Sequence, residues 1–343
     1  MCKIIITGGT GYIGSHTVVE FLESGYQVVI LDNLSNSNIS ILEGIEKITN
    51  KKPIFYKVDV CNETEINNIL QEHRDAKAVV HFAAYKAVGE SVEKPLKYYQ
   101  NNVGGLVNIL TNMLEANIEN IVFSSSCTVY GQPEILPVTE QSPIKEAMSP
   151  YGNTKQISEE IISDTVKANE NLKAISLRYF NPIGAHPSAL IGELPIGVPN
   201  NLLPFITQTA IGLREKLMVF GNDYNTPDGT AIRDYINVCD LAKAHLVAVE
   251  RLINKRNIKN HEFFNIGTGK GISVLEIIKA FEKSTGQKLN YEITSRRAGD
   301  IEQVWADTSY AEKVLNWKAE TSLEDTVKSA WEWEKSNKSV KSF

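Results

Sequence analysis

From its first residues the chain alternates short apolar runs with longer amphipathic ones. Runs rich in Val and Ile fall at Lys3–Thr7, Gln27–Leu31, Ile54–Val58, Ala78–His81, Ile121–Ser124 and Ala174–Arg178. Their shortness and β-branched content predict parallel strands buried on both faces. Between them, apolar positions recur at helical spacing over Tyr12–Ser24, Glu63–His73, Pro95–Ala116 and Tyr151–Lys167. Such alternation predicts right-handed βαβ units, and with them an α/β fold built on a doubly wound parallel sheet.

After Tyr179 the texture changes. Residues 181–232 carry Pro, Gly and Asn in runs such as NPIGAHPS and GVPNNLLP, too many breakers for a regular sheet. This stretch reads as a loop-rich cap with one helix near Leu203–Arg214. A helix over 236–250, a strand at Phe263–Ile266 and a helix over Val274–Ser284 follow. The expected division is a nucleotide-binding domain over 1–180, to which segments around 236–265 return, and a mainly substrate-binding region over 181–343. The tail, Lys335–Phe343, is polar and reads as frayed.

Composition narrows the function. A chain of 343 residues with 42% apolar and 22% charged positions is an ordinary globular protein. A net charge of −6 argues against a nucleic-acid partner, which needs a basic face. No apolar run is long enough for a membrane span, and MCKIIITGG lacks the features of a signal peptide. Cys2, Cys61, Cys127 and Cys239 are scattered without metal spacing, as are the six histidines. Reduced thiols, a cytoplasmic setting and no metal site are expected.

The first candidate chemistry is a glycine turn. The first run leads into Gly8-Gly9-Thr10-Gly11-Tyr12-Ile13-Gly14. Glycines at 8, 11 and 14 allow a tight turn and let the backbone approach a pyrophosphate, whose charge then sits at a helix N-terminus. The strand–turn–helix context marks this as a dinucleotide site, so the sheet is Rossmann-type. Asp32 closes the second run, where a carboxylate takes ribose hydroxyls and repels a 2′-phosphate. The cofactor is therefore expected to be NAD rather than NADP. Asp59 and Val60, read as the end of the third strand, can meet the adenine.

The second is a tyrosine–lysine pair. Tyr151 and Lys155 stand at i and i+4 in SPYGNTK, on one face of a helix. A phenol with a pKa of ~10 is a poor base at neutral pH, and a nearby ammonium improves it. The fifth strand ends in SSSCTVYG, whose hydroxyls can share the same substrate oxygen. Composition alone does not say which serine does so.

These motifs resemble those of the extended short-chain dehydrogenase/reductases, and within them the UDP-galactose 4-epimerases. The resemblance spans nearly the whole chain, through TGGTGYIGSH, LDNLSNS, HFAAYKAVGESVEKPL, NNVGG, FSSSCTVYG, SPYGNTK, LRYFNPIGAHPS, PNNLLPF, FGNDYNTPDGT, RDYINVCDLA, NIGTG and RRAGD. It implies Ser126 as the hydroxyl partner, Tyr151 as base and Lys155 as its modulator. It implies NAD contacts from Tyr12, Ile13, Asp32, Asn33, Ser37, Asp59, Val60, Phe82, Ala83, Ala84, Lys86, Asn101, Ser124 and Phe180, besides Tyr151 and Lys155. The implied isomerase reaction moves hydride from C4 of a UDP-sugar while Tyr151 takes the O4 proton. The 4-keto sugar then turns and both are returned to its other face. A homodimer held through Pro95–Ala116 and Tyr151–Lys167 is likewise implied.

On the substrate side, Arg233 and Arg297 suit a diphosphate, whose oxygens match guanidinium forks, with Asp300 as a ribose ligand. The resemblance adds Lys86, Ser126, Tyr151, Asn181, Asn200, Asn201 and Leu202 as sugar or diphosphate contacts and Phe220 as a uracil neighbour. Val304 occupies a wall that is a bulky Tyr in epimerases restricted to unsubstituted hexoses. Its size points to acceptance of UDP-N-acetylglucosamine and UDP-N-acetylgalactosamine beside UDP-glucose and UDP-galactose. Simple apolar packing is the competing explanation for Val304. An epimerase restricted to non-acetylated sugars, a UDP-pentose 4-epimerase and a non-catalytic NAD-sensing regulator stay as alternatives. Dehydratases and decarboxylases of the same fold need a carboxylate just after the strand-end hydroxyl, where this chain has Cys127 and Thr128.

Overall fold

The computed structural model describes residues 2–297 and 301–341. Strands β1 (Lys3–Thr7), β2 (Gln27–Asp32), β3 (Ile54–Lys57), β4 (Ala78–His81), β5 (Asn120–Ser126) and β6 (Lys173–Tyr179) occupy the first half. Then come β7 (Asn181–Ile183), β8 (Leu217–Phe220), β9 (Ile232–Arg233), β10 (Tyr235–Asn237), β11 (His261–Ile266), β12 (Ile272–Ser273), β13 (Tyr291–Thr294) and β14 (Gln303–Val304). The helices are α1 (Tyr12–Glu23), α2 (Ile41–Thr49), α3 (Glu63–Glu72), α4 (Val88–Glu93), α5 (Pro95–Tyr98), α6 (Gly105–Glu115), α7 (Pro150–Ala168), α8 (Leu202–Ala210), α9 (Val238–Ile253), α10 (Val274–Thr285), α11 (Ser309–Leu315) and α12 (Leu323–Lys341).

Seven parallel strands form the central sheet, in the order β11-β6-β5-β4-β1-β2-β3. The period-2 geometry of a strand sends alternate side chains to opposite faces. Ile4 and Ile6 therefore pack with α1, α2 and α9, while Ile5 packs with α3, α6 and α7. Because every strand runs the same way, Thr7, Asp32, His81, Ser126 and Tyr179 all emerge on one edge, where ligands of such sheets sit. A separate apolar cluster joins α8, β8, α10 and α12, with Phe281 edge-on to Trp331 at 5.8 Å. The four cysteines are free, and among the described residues no helix is long and apolar enough to cross a membrane.

Several sequence expectations need correction. The continuous helix over Pro95–Ala116 is interrupted by a π-helical segment, Tyr99–Gly104. There Asn102 Oδ1 accepts from the Tyr85 amide at 2.8 Å and its Nδ2 donates to the Tyr85 carbonyl at 3.0 Å. A side chain clamping another loop competes with regular helical geometry, and such bulges gather at functional sites. The third strand stops at Lys57, so Asp59 and Val60 lie beyond it. The cap is not all loop: β7 pairs with β10, β8 with β13, and β9 with β12 and β14. Helix α12 continues past Lys335 to Lys341, and residues 342 and 343 of the expected tail lie outside the described residues.

Candidate active site

The glycine turn is as tight as backbone allows. A Cβ on Gly14 would stand 2.2 Å from the Gly8 carbonyl oxygen, and one on Gly8, at φ 70°, would stand 2.9 Å from the Ala83 nitrogen. Only glycine fits either position. Gly11 caps α1 without a side chain, so the first-turn amides are left to an anion rather than to a capping hydroxyl. Asp32 is aimed across this turn: Oδ2 accepts from the Thr10 amide at 3.1 Å, and Oδ1 from the Leu34 amide at 2.9 Å and Ser37 Oγ at 3.3 Å. A carboxylate offers about four lone-pair sites, so these bonds orient Asp32 and leave room for a ribose hydroxyl. Beside it, Asn33 Nδ2 donates to Asp59 Oδ2 at 2.9 Å. A glycine cradle, an open helix N-terminus and a held carboxylate fit NAD.

Tyr151 and Lys155 lie in the first turns of α7. Pro150 occupies the opening position, and the Ser149 hydroxyl accepts from the Gly152 amide at 3.2 Å, a favourable helix start. Lys155 Nζ donates to the Ser124 carbonyl at 2.6 Å and sits 5.9 Å from the centre of the Tyr151 ring. Ser126 ends β5, its Oγ accepting from the Thr128 amide at 3.2 Å. Burial pushes the Tyr151 phenol up to about 12, against an opposing hydrogen bond with Ser126. Burial likewise pushes Lys155 down to about 7, against the Glu159 carboxylate. Ser124 Oγ is hydrogen bonded to the Tyr179 hydroxyl on β6.

A buried ion pair straps α7 to the sheet. Arg178 on β6 gives Nε to Glu159 Oε1 at 2.9 Å and Nη2 to Oε2 at 2.7 Å, and Ser125 Oγ donates to the same carboxylate at 2.6 Å. Both partners are buried. Neither was singled out from sequence, although Glu159 stands one helical turn beyond Lys155.

The expected substrate residues come from separate segments. Asn181 opens β7, and Asn201 caps α8 ahead of Leu202. Asn200 lies in the preceding loop. Asn201 Nδ2 and Lys86 Nζ both reach Glu193 Oε1, at 2.5 Å and 3.3 Å. Glu193 thus joins a residue of the nucleotide half to one of the cap, a role invisible before the chain folds. Arg233 Nη1 donates to the Ile232 carbonyl at 2.8 Å. Phe220 is 41% exposed, with the Arg297 guanidinium 5.7 Å from its ring centre. Asp300 lies outside the described residues. Val304, 4% exposed, clusters with Val129, Tyr130 and Phe180, and Cys127, next to Ser126, packs against that cluster. Phe82 and Ala83 follow β4, and Phe82 packs on His245 with ring centres 4.6 Å apart. Ala84 is in the same loop, and Asn101 lies in the π-helical segment. Among the described residues no His, Cys, Asp or Glu cluster could hold a metal.

Comparison with known proteins gives the family. A family model described as GDP-mannose 4,6 dehydratase matches residues 5–330. The UDP-glucose 4-epimerase of Yersinia enterocolitica is 50% identical over 335 residues, 98% of each chain. A crystal structure of the UDP-glucose 4-epimerase of Stenotrophomonas maltophila, with bound NAD and formylated UDP-arabinopyranose, matches with a TM-score of 0.95 and 45% identity over 99% of this chain and 100% of that one. The structure of the Bifidobacterium longum UDP-glucose 4-epimerase in complex with NAD+ and UDP matches with a TM-score of 0.94 and 44% identity over 98% and 99%. Half-identical over nearly its whole length to such an enzyme, the chain belongs to the UDP-glucose 4-epimerase family of the extended short-chain dehydrogenase/reductases.

Proposed function

We propose that the protein is an isomerase that interconverts UDP-glucose and UDP-galactose with bound NAD, through a transient 4-keto sugar. The observation that carries this reading is the meeting of Ser126, Tyr151 and Lys155 at the end of β5, with Cys127 and Thr128 where a dehydratase needs a carboxylate. Gly8, Gly11, Gly14 and the N-terminus of α1 would hold the pyrophosphate of NAD, Asp32 the adenosine ribose, and Phe82, Ala83, Ala84 and Phe180 the remainder. When bound, NAD supplies the hydride acceptor and donor at C4 and a positive ring that favours the phenolate. Tyr151 takes the O4 proton and later returns it. Ser126 holds the same oxygen through its hydroxyl. Lys155, anchored on the Ser124 carbonyl, brings its amino group one turn from the phenol, where its protonated form favours the phenolate. Arg233 and Arg297 grip the diphosphate away from the reacting carbon, so that the sugar can turn while the nucleotide stays fixed.

The proposal extends to the acetylated pair, UDP-N-acetylglucosamine and UDP-N-acetylgalactosamine. Val304 is smaller than Tyr, and its neighbours Phe180 and Cys127 belong to the segments that carry the reaction. It also includes a cytoplasmic homodimer, supported by the exposed apolar Leu96, Val107 and Leu114 on α5 and α6. The test is an assay of both substrate pairs on the purified protein, and turnover of both is expected. Turnover of the unsubstituted pair alone would exclude the acetylated substrates, and turnover of neither would favour a non-catalytic NAD-binding protein. Val304→Tyr is expected to lower kcat/KM on the acetylated pair at least about tenfold and to change the unsubstituted pair by no more than about threefold.

A further inference from the structure

Asp234 lies between Arg233 on β9 and Tyr235 on β10, and it is fully buried (0% exposed). Its Oδ1 accepts from the Thr268 amide at 2.8 Å and the Thr268 hydroxyl at 2.7 Å. Its Oδ2 accepts from the Gly269 amide at 3.1 Å and the Ala306 amide at 3.2 Å. Four donors fill the lone-pair sites of a carboxylate, which is what makes a charge tolerable in the interior. The surroundings are shaped to it: a Cβ on Gly267 would stand 2.4 Å from Oδ2. The backbone carbonyl of Asp234 is engaged as well, accepting from the Asn181 amide at 2.9 Å.

Three distant segments therefore meet on this one residue. Asn181 hangs from its carbonyl. Arg233 is its chain neighbour, and β9 pairs with β14 so that Val304 stands opposite Arg233. Ala306, two residues beyond Val304, is tied to the carboxylate, and the loop after β11 supplies the remaining donors. Asn181, Arg233 and Val304 are three of the residues assigned to the UDP-sugar.

We propose that Asp234 is a positioning residue for the UDP-sugar, setting the register of the wall that carries Arg233 and Val304 against the strand that carries Asn181. It touches no substrate itself. This rests on the substrate assignment made above. Because each carboxylate oxygen accepts from at least one backbone amide, a group of the same size with one acceptor replaced by a donor cannot satisfy them, and the wall must shift relative to the diphosphate.

The test is Asp234→Asn in the NAD-loaded protein. KM for UDP-glucose and the dissociation constant for UDP should both rise about tenfold, with kcat within about threefold of wild type and NAD still bound. Thr268→Val removes one donor, leaves the carboxylate, and should move both constants in the same direction by about threefold. It also carries the test if Asp234→Asn is not recovered folded. Unchanged KM and UDP affinity in a folded variant, or loss of kcat and of bound NAD with UDP affinity kept, would overturn the assignment. Failure of the functional reading would appear separately, as a wild-type protein that binds UDP but turns over no UDP-sugar, and the UDP titration would still test the role of Asp234.

Discussion

Burial moves both catalytic candidates toward their neutral forms, Tyr151 up to about 12 and Lys155 down to about 7. A phenol held there is a base only when positive charge is brought beside it, which makes Tyr151 dependent on its surroundings rather than on its own acidity. Tyr151→Phe removes the proton acceptor and should lower kcat about a thousandfold while NAD stays bound, as read by an epimerisation assay and the absorbance of the bound cofactor. For Lys155 the folded value lies below the ~10.4 of an exposed lysine. Between the two values the unfolded chain carries the proton and the folded chain does not, so the penalty of burying Lys155 is full below about pH 7 and is relieved as pH rises toward ~10. The stability of the cofactor-free protein should therefore rise across that window relative to Lys155→Met. Matched urea titrations at about pH 7 and pH 9 check this, and parallel pH trends in the two proteins would contradict it. At this scale the sequence was informative because an i, i+4 pair is a local fact. The burial that retunes both groups belongs to the pocket.

Among the elements, α7 carries the most function; Ile162 and Val166 seat it in the apolar core under the sheet, and a buried ion pair adds a second hold. Glu159 and Arg178 form a two-pronged buried pair that also takes the Ser125 hydroxyl, joining the helix of Tyr151 and Lys155 to the strand of Ser126. Removing one member of such a pair strands the other charge in the interior. Glu159→Ala should cost about 3–5 kcal/mol in denaturant unfolding, with the double change Glu159→Met, Arg178→Met costing less than the single one. An outcome in which both variants unfold at the wild-type midpoint would show that the strap contributes nothing. The strands and long helices were legible from periodicity alone, as β1, β4, α1 and α7 show. The break in the helix that follows Pro95 was not. It falls where Asn102 bonds to Tyr85, a residue of another loop, and no periodicity in the segment itself records that partner.

For the molecule as a whole, the exposed Leu96, Val107 and Leu114 set an expectation about assembly. Leu96 is 81% exposed, and an apolar surface of this kind on neighbouring helices fits association with a second copy. Val107→Glu combined with Leu114→Lys should convert a dimer into a monomer in light scattering, and a wild-type protein that is already monomeric at micromolar concentration would refute the dimer. Elsewhere the division between sequence and structure follows the range of the interactions. The alternation of strands and helices, the glycine turn and the Tyr151–Lys155 face are set by residues within a turn or two of one another, so the chain states them directly. The short strands of the cap, the Glu193 bridge between Lys86 and Asn201, and the convergence of residues 181, 268, 269 and 306 on Asp234 join positions dozens of residues apart. Strand order and register decide those meetings, and a buried carboxylate is sustained only where the folded backbone brings enough donors to it.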